Sequence, residues 1–178
     1  MTAIDAALPG SDGLKWFNWL YLQVTRAVEA RVAANGFQDP EWLAALDVEF
    51  AGLYFGALKA ALSGVGSVPD CWQVLLDRRG DFAVARIQFA LAGINAHINH
   101  DLPEAIVATG CAPAHGSGHY TDYTAVNGTM DSLAREAAWN NADVLWGLRG
   151  APALEARTLS TIDGMTAVIG KALLVPVR

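Results

Sequence analysis

The chain has 178 residues, of which 53% are hydrophobic and only 17% charged, and its net charge is −6. One domain of that length buries a substantial core. The pI near 5.0 and the absence of any Lys/Arg cluster beyond Arg78-Arg79 exclude the basic patch a nucleic-acid binder needs, and no run of about 18 apolar residues marks a membrane span.

So oily a composition has surplus apolar surface, expected to be covered in a homo-oligomer, most simply a homodimer, or to line a pocket for a small lipophilic molecule. Met1 to Gly13 lacks a basic stretch followed by an apolar core, so no secretory leader is expected. Cys71 and Cys111 have no CxxC spacing and read as ordinary thiols of a cytoplasmic protein.

In chain order, residues 1–12 read as a flexible N-terminus to a single helical domain covering 1–178. Ser11 and Asp12 offer caps for a first helix running to about Ala34, which Asn35-Gly36 ends in left-handed fashion. The aromatic run Trp16, Phe17, Trp19 and Tyr21 on it reads as core or interface. Asp39-Pro40-Glu41 combines N-cap, Pro at the first helical position and an acidic first turn, opening a second helix to about Leu62 before Gly64. A short third helix follows Pro69 and stops near Gly80.

The fourth helix is predicted over about 81–101. Phe82, Val84, Ile87, Phe89, Leu91 and Ile94 occupy every side of its wheel, the pattern of a buried, central helix. A loop rich in Gly and His, Gly110 to His119, leads to a fifth helix from about Thr121 to Leu148, and a sixth spans about Ala153 to Leu174. Alternating β-branched runs are lacking. The expected fold is all-α, a bundle of five or six helices around the fourth.

That fourth helix changes character at Asn95. His97, His100, Asp101 and Glu104 fall at i, i+3, i+4 and i+7 and share a face, with Gly93 one turn earlier leaving space beside His97. Pro103 has no N–H for the carbonyl of Asn99 and disfavours helical dihedrals at Leu102, which predicts a break or kink there. Asp101-Leu102-Pro103-Glu104 also reads as a capping box, with Asp101 as the N-cap. The plainer reading of His97 is a core histidine donating to a backbone carbonyl. The functional one is an imidazole oriented by a carboxylate and working as general acid or base. It places His97 at an internal pocket, beside at least one of Asp47, Asp101 and Asp122.

At these residues the chain resembles a bacterial family of helical proteins catalogued as a domain of unknown function. The family is marked by an apolar helix ending in a segment like Ala92-Gly-Ile-Asn95-Ala-His97-Ile-Asn-His100-Asp101-Leu-Pro103. Phe17-Asn18-Trp19-Leu20-Tyr21, Leu46-Asp47-Val48-Glu49-Phe50 with Tyr54, Trp72, and Asp122-Tyr-Thr-Ala-Val-Asn127 extend the likeness over about residues 14 to 135. It implies an all-α fold and no particular chemistry. More distantly, His-x-x-x-Asp followed by Pro is similar to the helical zinc-dependent phospholipases C and single-strand nucleases. With four histidines in all, two of them (His115 and His119) in the loop, a trinuclear zinc cluster is underpopulated, whereas one zinc or other divalent ion on His97 and Asp101, joined by Asp47 or Asp122, has the right ligand types.

The leading expectation is a cofactor-independent enzyme running isomerisation, cyclisation or elimination on a small lipophilic substrate. His97, Asp101, Asp47 and Asn95 form its catalytic set, and Tyr54, His100, Asp122 and Asn127 contact substrate. Two alternatives stand beside it: a metal-dependent hydrolase with His97 and Asp101 as ligands, and a non-enzymatic protein holding a hydrophobic ligand. Phosphate loops, serine-nucleophile elbows and dinucleotide fingerprints have no counterpart in the sequence.

Overall fold

A computed structural model describes residues 1–110 and 113–140 of the chain. All regular structure among them is helical: α1 (Thr2–Ala7), α2 (Gly13–Ala33), α3 (Pro40–Ser63), α4 (Asp70–Arg78), α5 (Arg86–Ala96), a π-helical turn (His97–Asp101), α6 (Leu102–Ala108) and α7 (Gly118–Asn140). Counting the unbroken rod of α5, the π turn and α6 as one, these residues make six helices, the all-α bundle expected. The predicted sixth helix, 153–174, and the fifth beyond Asn140 lie outside the described residues.

Local chemistry sets the helix ends. Asp12 Oδ1 accepts the Leu14 N–H at 3.0 Å at the start of α2. At its far end Asn35 takes the left-handed conformation, φ 55°, with Gly36 N–H bonded to Arg31 O and Asn35 N–H to Val32 O, both at 2.9 Å. That pair of bonds is a Schellman motif, and Asn is one of the few side chains that tolerate its left-handed position. Asp39 caps α3 by accepting the Trp42 N–H at 3.0 Å, and Gly64 at φ 67° ends it.

The chain divides into two compact units. One comprises Met1–Leu22 and Asp39–Ala112, the other Gln23–Gln38 and the residues from Pro113 onward. The first holds a core of Leu14, Phe17 and Tyr21 from α2, Tyr54, Ala57 and Leu58 from α3, Trp72 and Leu75 from α4, and Phe89 and Ala96 from α5. Fully burying each large apolar side chain contributes about 1.5–3 kcal/mol. Within the first twelve residues Thr2–Ala7 form α1, Met1, Ile4 and Leu8 pack on this core, and Asn18 Nδ2 donates to Met1 O at 3.2 Å. In the second unit Asp122 accepts the Gln38 N–H on both oxygens, at 2.8 and 3.0 Å, and the Arg31 guanidinium lies over the Phe37 ring at 4.9 Å.

The fourth predicted helix departs from expectation at its start. Residues 81–84 form turns, helix begins at Arg86, and Phe82 is 87% exposed. Asp81 explains the delay: its carboxylate accepts the Ala83 N–H at 2.9 Å and pairs with Arg78 at 2.7 Å, local bonds that compete with a helical ladder. α5 consequently buries one face, Phe89, Ala90, Gly93 and Ala96, rather than its whole circumference. The rod nevertheless sits among its neighbours, with α4 against α5, α3 against both the π turn and α6, and Phe17 of α2 against Gly93. Gly93 leaves no open space, because a Cβ there would collide with the Phe17 ring.

Candidate functional site

The site is built on the π turn. Pro103 cannot donate to the Asn99 carbonyl, and an α-helix continuing through it would also suffer ring clash. The chain widens by one residue here: the Leu102 N–H bonds to His97 O, five positions back, and α6 continues beyond Pro103. Single π turns inside α-helices concentrate at functional sites, and this one carries His97 at its first position and Asp101 at its last.

Asp101 is not a helix cap. No side-chain cap bond forms at the start of α6, because the carboxylate is engaged elsewhere. Its Oδ2 lies 2.7 Å from His97 Nδ1, its Oδ1 lies 3.0 Å from His100 Nδ1, and the Trp72 indole N–H donates to the two oxygens at 3.2 and 3.0 Å. Trp Nε1 only donates, so the carboxylate is the shared acceptor and His97 carries its proton on Nδ1. The lone pair is then on Nε2.

Nε2 of His97 is buried and has no hydrogen-bond partner. The residue is 3% exposed and Asp101 1%. Five aromatic rings enclose the imidazole. Phe50 stacks flat on it, with centroids 3.5 Å apart and planes 7° from parallel. Tyr21 at 4.5 Å, Phe17 at 5.6 Å, Trp72 at 5.9 Å and Tyr54 at 6.2 Å approach at steep angles. Burial pushes the His97 pKa below the usual histidine value, against the opposing pull of the Asp101 hydrogen bond and charge. Desolvation wins, and at neutral pH the imidazole is uncharged with a free lone pair.

Two hydroxyls in the cage differ. Tyr54 donates to Asn18 Oδ1 at 3.3 Å, whereas the buried Tyr21 hydroxyl has no partner. Burial raises the Tyr21 pKa far above its usual range, with Asp47, Asp101 and Tyr54 adding to the rise, so that phenol stays protonated. Burial likewise raises that of Tyr54.

Asp47, half-buried on α3, acts on the cage through its charge at Tyr21. Asn95 is exposed and accepts from Asn99 Nδ2 at 2.8 Å, one turn along the outer face. His100 is partly exposed and bridges Asp101 and Glu104, the latter at 3.6 Å. Asp122 and Asn127 belong to the second unit, where Asp122 holds the Gln38 amide. Among the described residues no three or more His, Cys, Asp or Glu side chains gather as a metal-binding set. Sequence reasoning missed Trp72 as the partner of Asp101, and Tyr21 and Phe50 as cage walls. A buried indole N–H needs an acceptor, which is the signal Trp72 offered.

The model of a family described as "Family of unknown function (DUF5995)" matches residues 1–134. No curated protein and no solved structure matches.

Proposed function

The chain belongs to DUF5995, a family whose function is itself unknown, so activity must be read from the site, and we propose a cofactor-independent acid/base enzyme acting on a small lipophilic substrate. One observation carries this reading: His97 is neutral, oriented by Asp101 through Nδ1, and presents a buried, unpartnered Nε2 inside an aromatic cage. A buried acceptor without a partner is costly to fold, and a base with its second nitrogen fixed by a carboxylate is the arrangement proton abstraction needs. Trp72 and His100 hold Asp101 and are positioning residues. Apolar walls suit isomerisation, cyclisation or elimination better than hydrolysis, which needs water at the reacting atom. A metal-dependent hydrolase has less support, since Asp101 already serves three donors and His97 offers a single free nitrogen.

The test uses 5-nitrobenzisoxazole, a planar aromatic carbon acid. A base removes its ring C–H proton, the C–H electron pair forms the nitrile, and the N–O bond breaks to release a coloured phenolate. The wild-type protein is expected to accelerate this opening, and His97→Gln to remove about a hundredfold or more of the acceleration while keeping the fold. Equal rates in the two proteins sink the reading. Saturable binding without any acceleration would favour a ligand-holding protein instead.

We further assign a second copy of this chain as partner of the outer face of α3. Val48, Phe55 and Leu62 are exposed there at heptad spacing, and Gly52 and Gly56 between them face open space. An antiparallel two-fold pairing that sets Phe55 of each copy over Gly52 of the other puts Lys59 opposite Val48, one residue from Glu49, so large and small residues match and opposite charges lie close, twice.

A further inference from the structure

The cage contains two buried polar atoms without partners, and they differ in kind. His97 Nε2 is an acceptor, and the Tyr21 hydroxyl is a donor. Their rings are 4.5 Å apart between centroids, in a wall otherwise made of Phe17, Phe50, Tyr54 and Trp72. Leaving one polar group unsatisfied in such surroundings is unusual, and two on adjoining rings mark a place where a ligand supplies the missing partners. A ligand satisfying both must present a hydrogen-bond acceptor to Tyr21 and, next to it, a proton that His97 can take.

We infer that the site takes a planar, apolar ketone or aldehyde, whose carbonyl oxygen accepts the Tyr21 O–H while His97 Nε2 removes a proton from the adjacent carbon. This rests on the acid/base reading of His97 and adds Tyr21 as a catalytic residue. In the step the C–H bond breaks and its proton goes to Nε2. The C–H electron pair becomes the new C=C bond, and the carbonyl π pair moves onto oxygen as an enolate held by the Tyr21 hydroxyl. Asp101 keeps the Nδ1 proton and faces the imidazolium that forms. Exchange of the Nε2 proton with solvent before it returns to the same carbon gives isotope exchange, and return to a conjugated carbon gives isomerisation. A donor aimed at the oxygen where charge develops is the larger part of such catalysis in a site that excludes water. Tyr21 fits the donor role because burial keeps it protonated. Of the five rings, Phe50 alone is only partly buried.

The experiment follows deuterium incorporation beside the carbonyl of 2-indanone in D2O by proton NMR, for wild type, His97→Gln and Tyr21→Phe. Wild type is expected to speed exchange, His97→Gln to abolish the effect, and Tyr21→Phe to lose about a hundredfold of it. Thermal melting is the second readout. Because the hydroxyl has no protein partner, Tyr21→Phe should melt at the wild-type temperature or above. An unchanged exchange rate in Tyr21→Phe overturns the carbonyl assignment and leaves His97 as the base. Opening of 5-nitrobenzisoxazole without any exchange of 2-indanone does the same. Failure of both reactions removes the acid/base reading with it. An early-melting Tyr21→Phe would show that the hydroxyl serves the fold, and would overturn its assignment to a ligand.

Discussion

At the residue scale, the cost of the site is concentrated in His97. An imidazole 3% exposed with one bonded and one orphaned nitrogen is retained although an apolar side chain would fill the same space without desolvation. Its depressed pKa has a consequence for stability. As pH falls through the usual histidine range, near 6.5, the unfolded chain takes up the proton before the folded one does. The unfolded state then binds more protons, so stability rises with pH there. Stability is fully present above that range and is lost as pH falls from it toward the lower folded-state value. The expected slope from this one group is at most about 1.4 kcal/mol per pH unit. Urea unfolding between pH 7 and pH 5 should therefore show a shallower loss in His97→Gln than in wild type. Parallel curves would mean that burial does not displace the His97 titration.

Within single elements, the rod of α5, π turn and α6 positions the site through two residues that lack something. Pro103 lacks the N–H that would have closed an ordinary α turn, and the resulting π turn brings His97 and Asp101 to 2.7 Å. Gly93 lacks a Cβ, so the Phe17 ring lies against the rod backbone one turn before His97, which closes the cage on that side. The substitution Gly93→Ala would gain helix propensity of about 1 kcal/mol. It would also drive a methyl into an aromatic ring already packed against Tyr54 and Trp72, at 5.1 Å from each. Overpacking of this kind costs about 1–3 kcal/mol, and the tight approach places the net effect on the destabilising side. A lower urea midpoint with an unchanged slope is the expected result, and a midpoint at or above wild type would show that Phe17 can withdraw freely.

At the scale of the whole molecule, the apolar surplus of the described residues divides between the interior and exposed positions, three of which lie along α3. The aromatic cluster of the first unit absorbs Phe17, Tyr21, Tyr54 and Trp72, yet Val48, Phe55 and Leu62 remain exposed along α3. The proposed two-fold pairing of α3 would cover them. Sedimentation equilibrium is expected to give a dimer for wild type and a monomer for Phe55→Glu, which sets two carboxylates into the pairing line. Phe55 is 37% exposed and its ring lies 5.4 Å from that of Tyr54; it is not one of the five rings around His97, so the fold is expected to persist in that variant. A wild-type monomer at high concentration would dismiss the partner.

Local rules carried the sequence reading as far as local interactions reach. The all-α class, the caps at Asp39 and Asn35 and the pairing of His97 with Asp101 all follow from residues within a few positions of one another. A helical period, an N-cap and an i,i+4 contact are each decided inside one or two turns. Tertiary structure decided the rest. Sequence spacing allowed Asp101 to cap α6, but the Trp72 indole, 29 positions away and buried, together with the two imidazoles, claimed the carboxylate. Asn95 shares the motif yet faces out, because the buried face of the rod is set by what packs on it. The cage that leaves Nε2 and the Tyr21 hydroxyl without partners comes from α2, α3 and α4, three helices whose mutual arrangement no periodicity encodes. Long-range packing selects among locally acceptable partners, and that selection turned a helix-end motif into a buried, neutral imidazole.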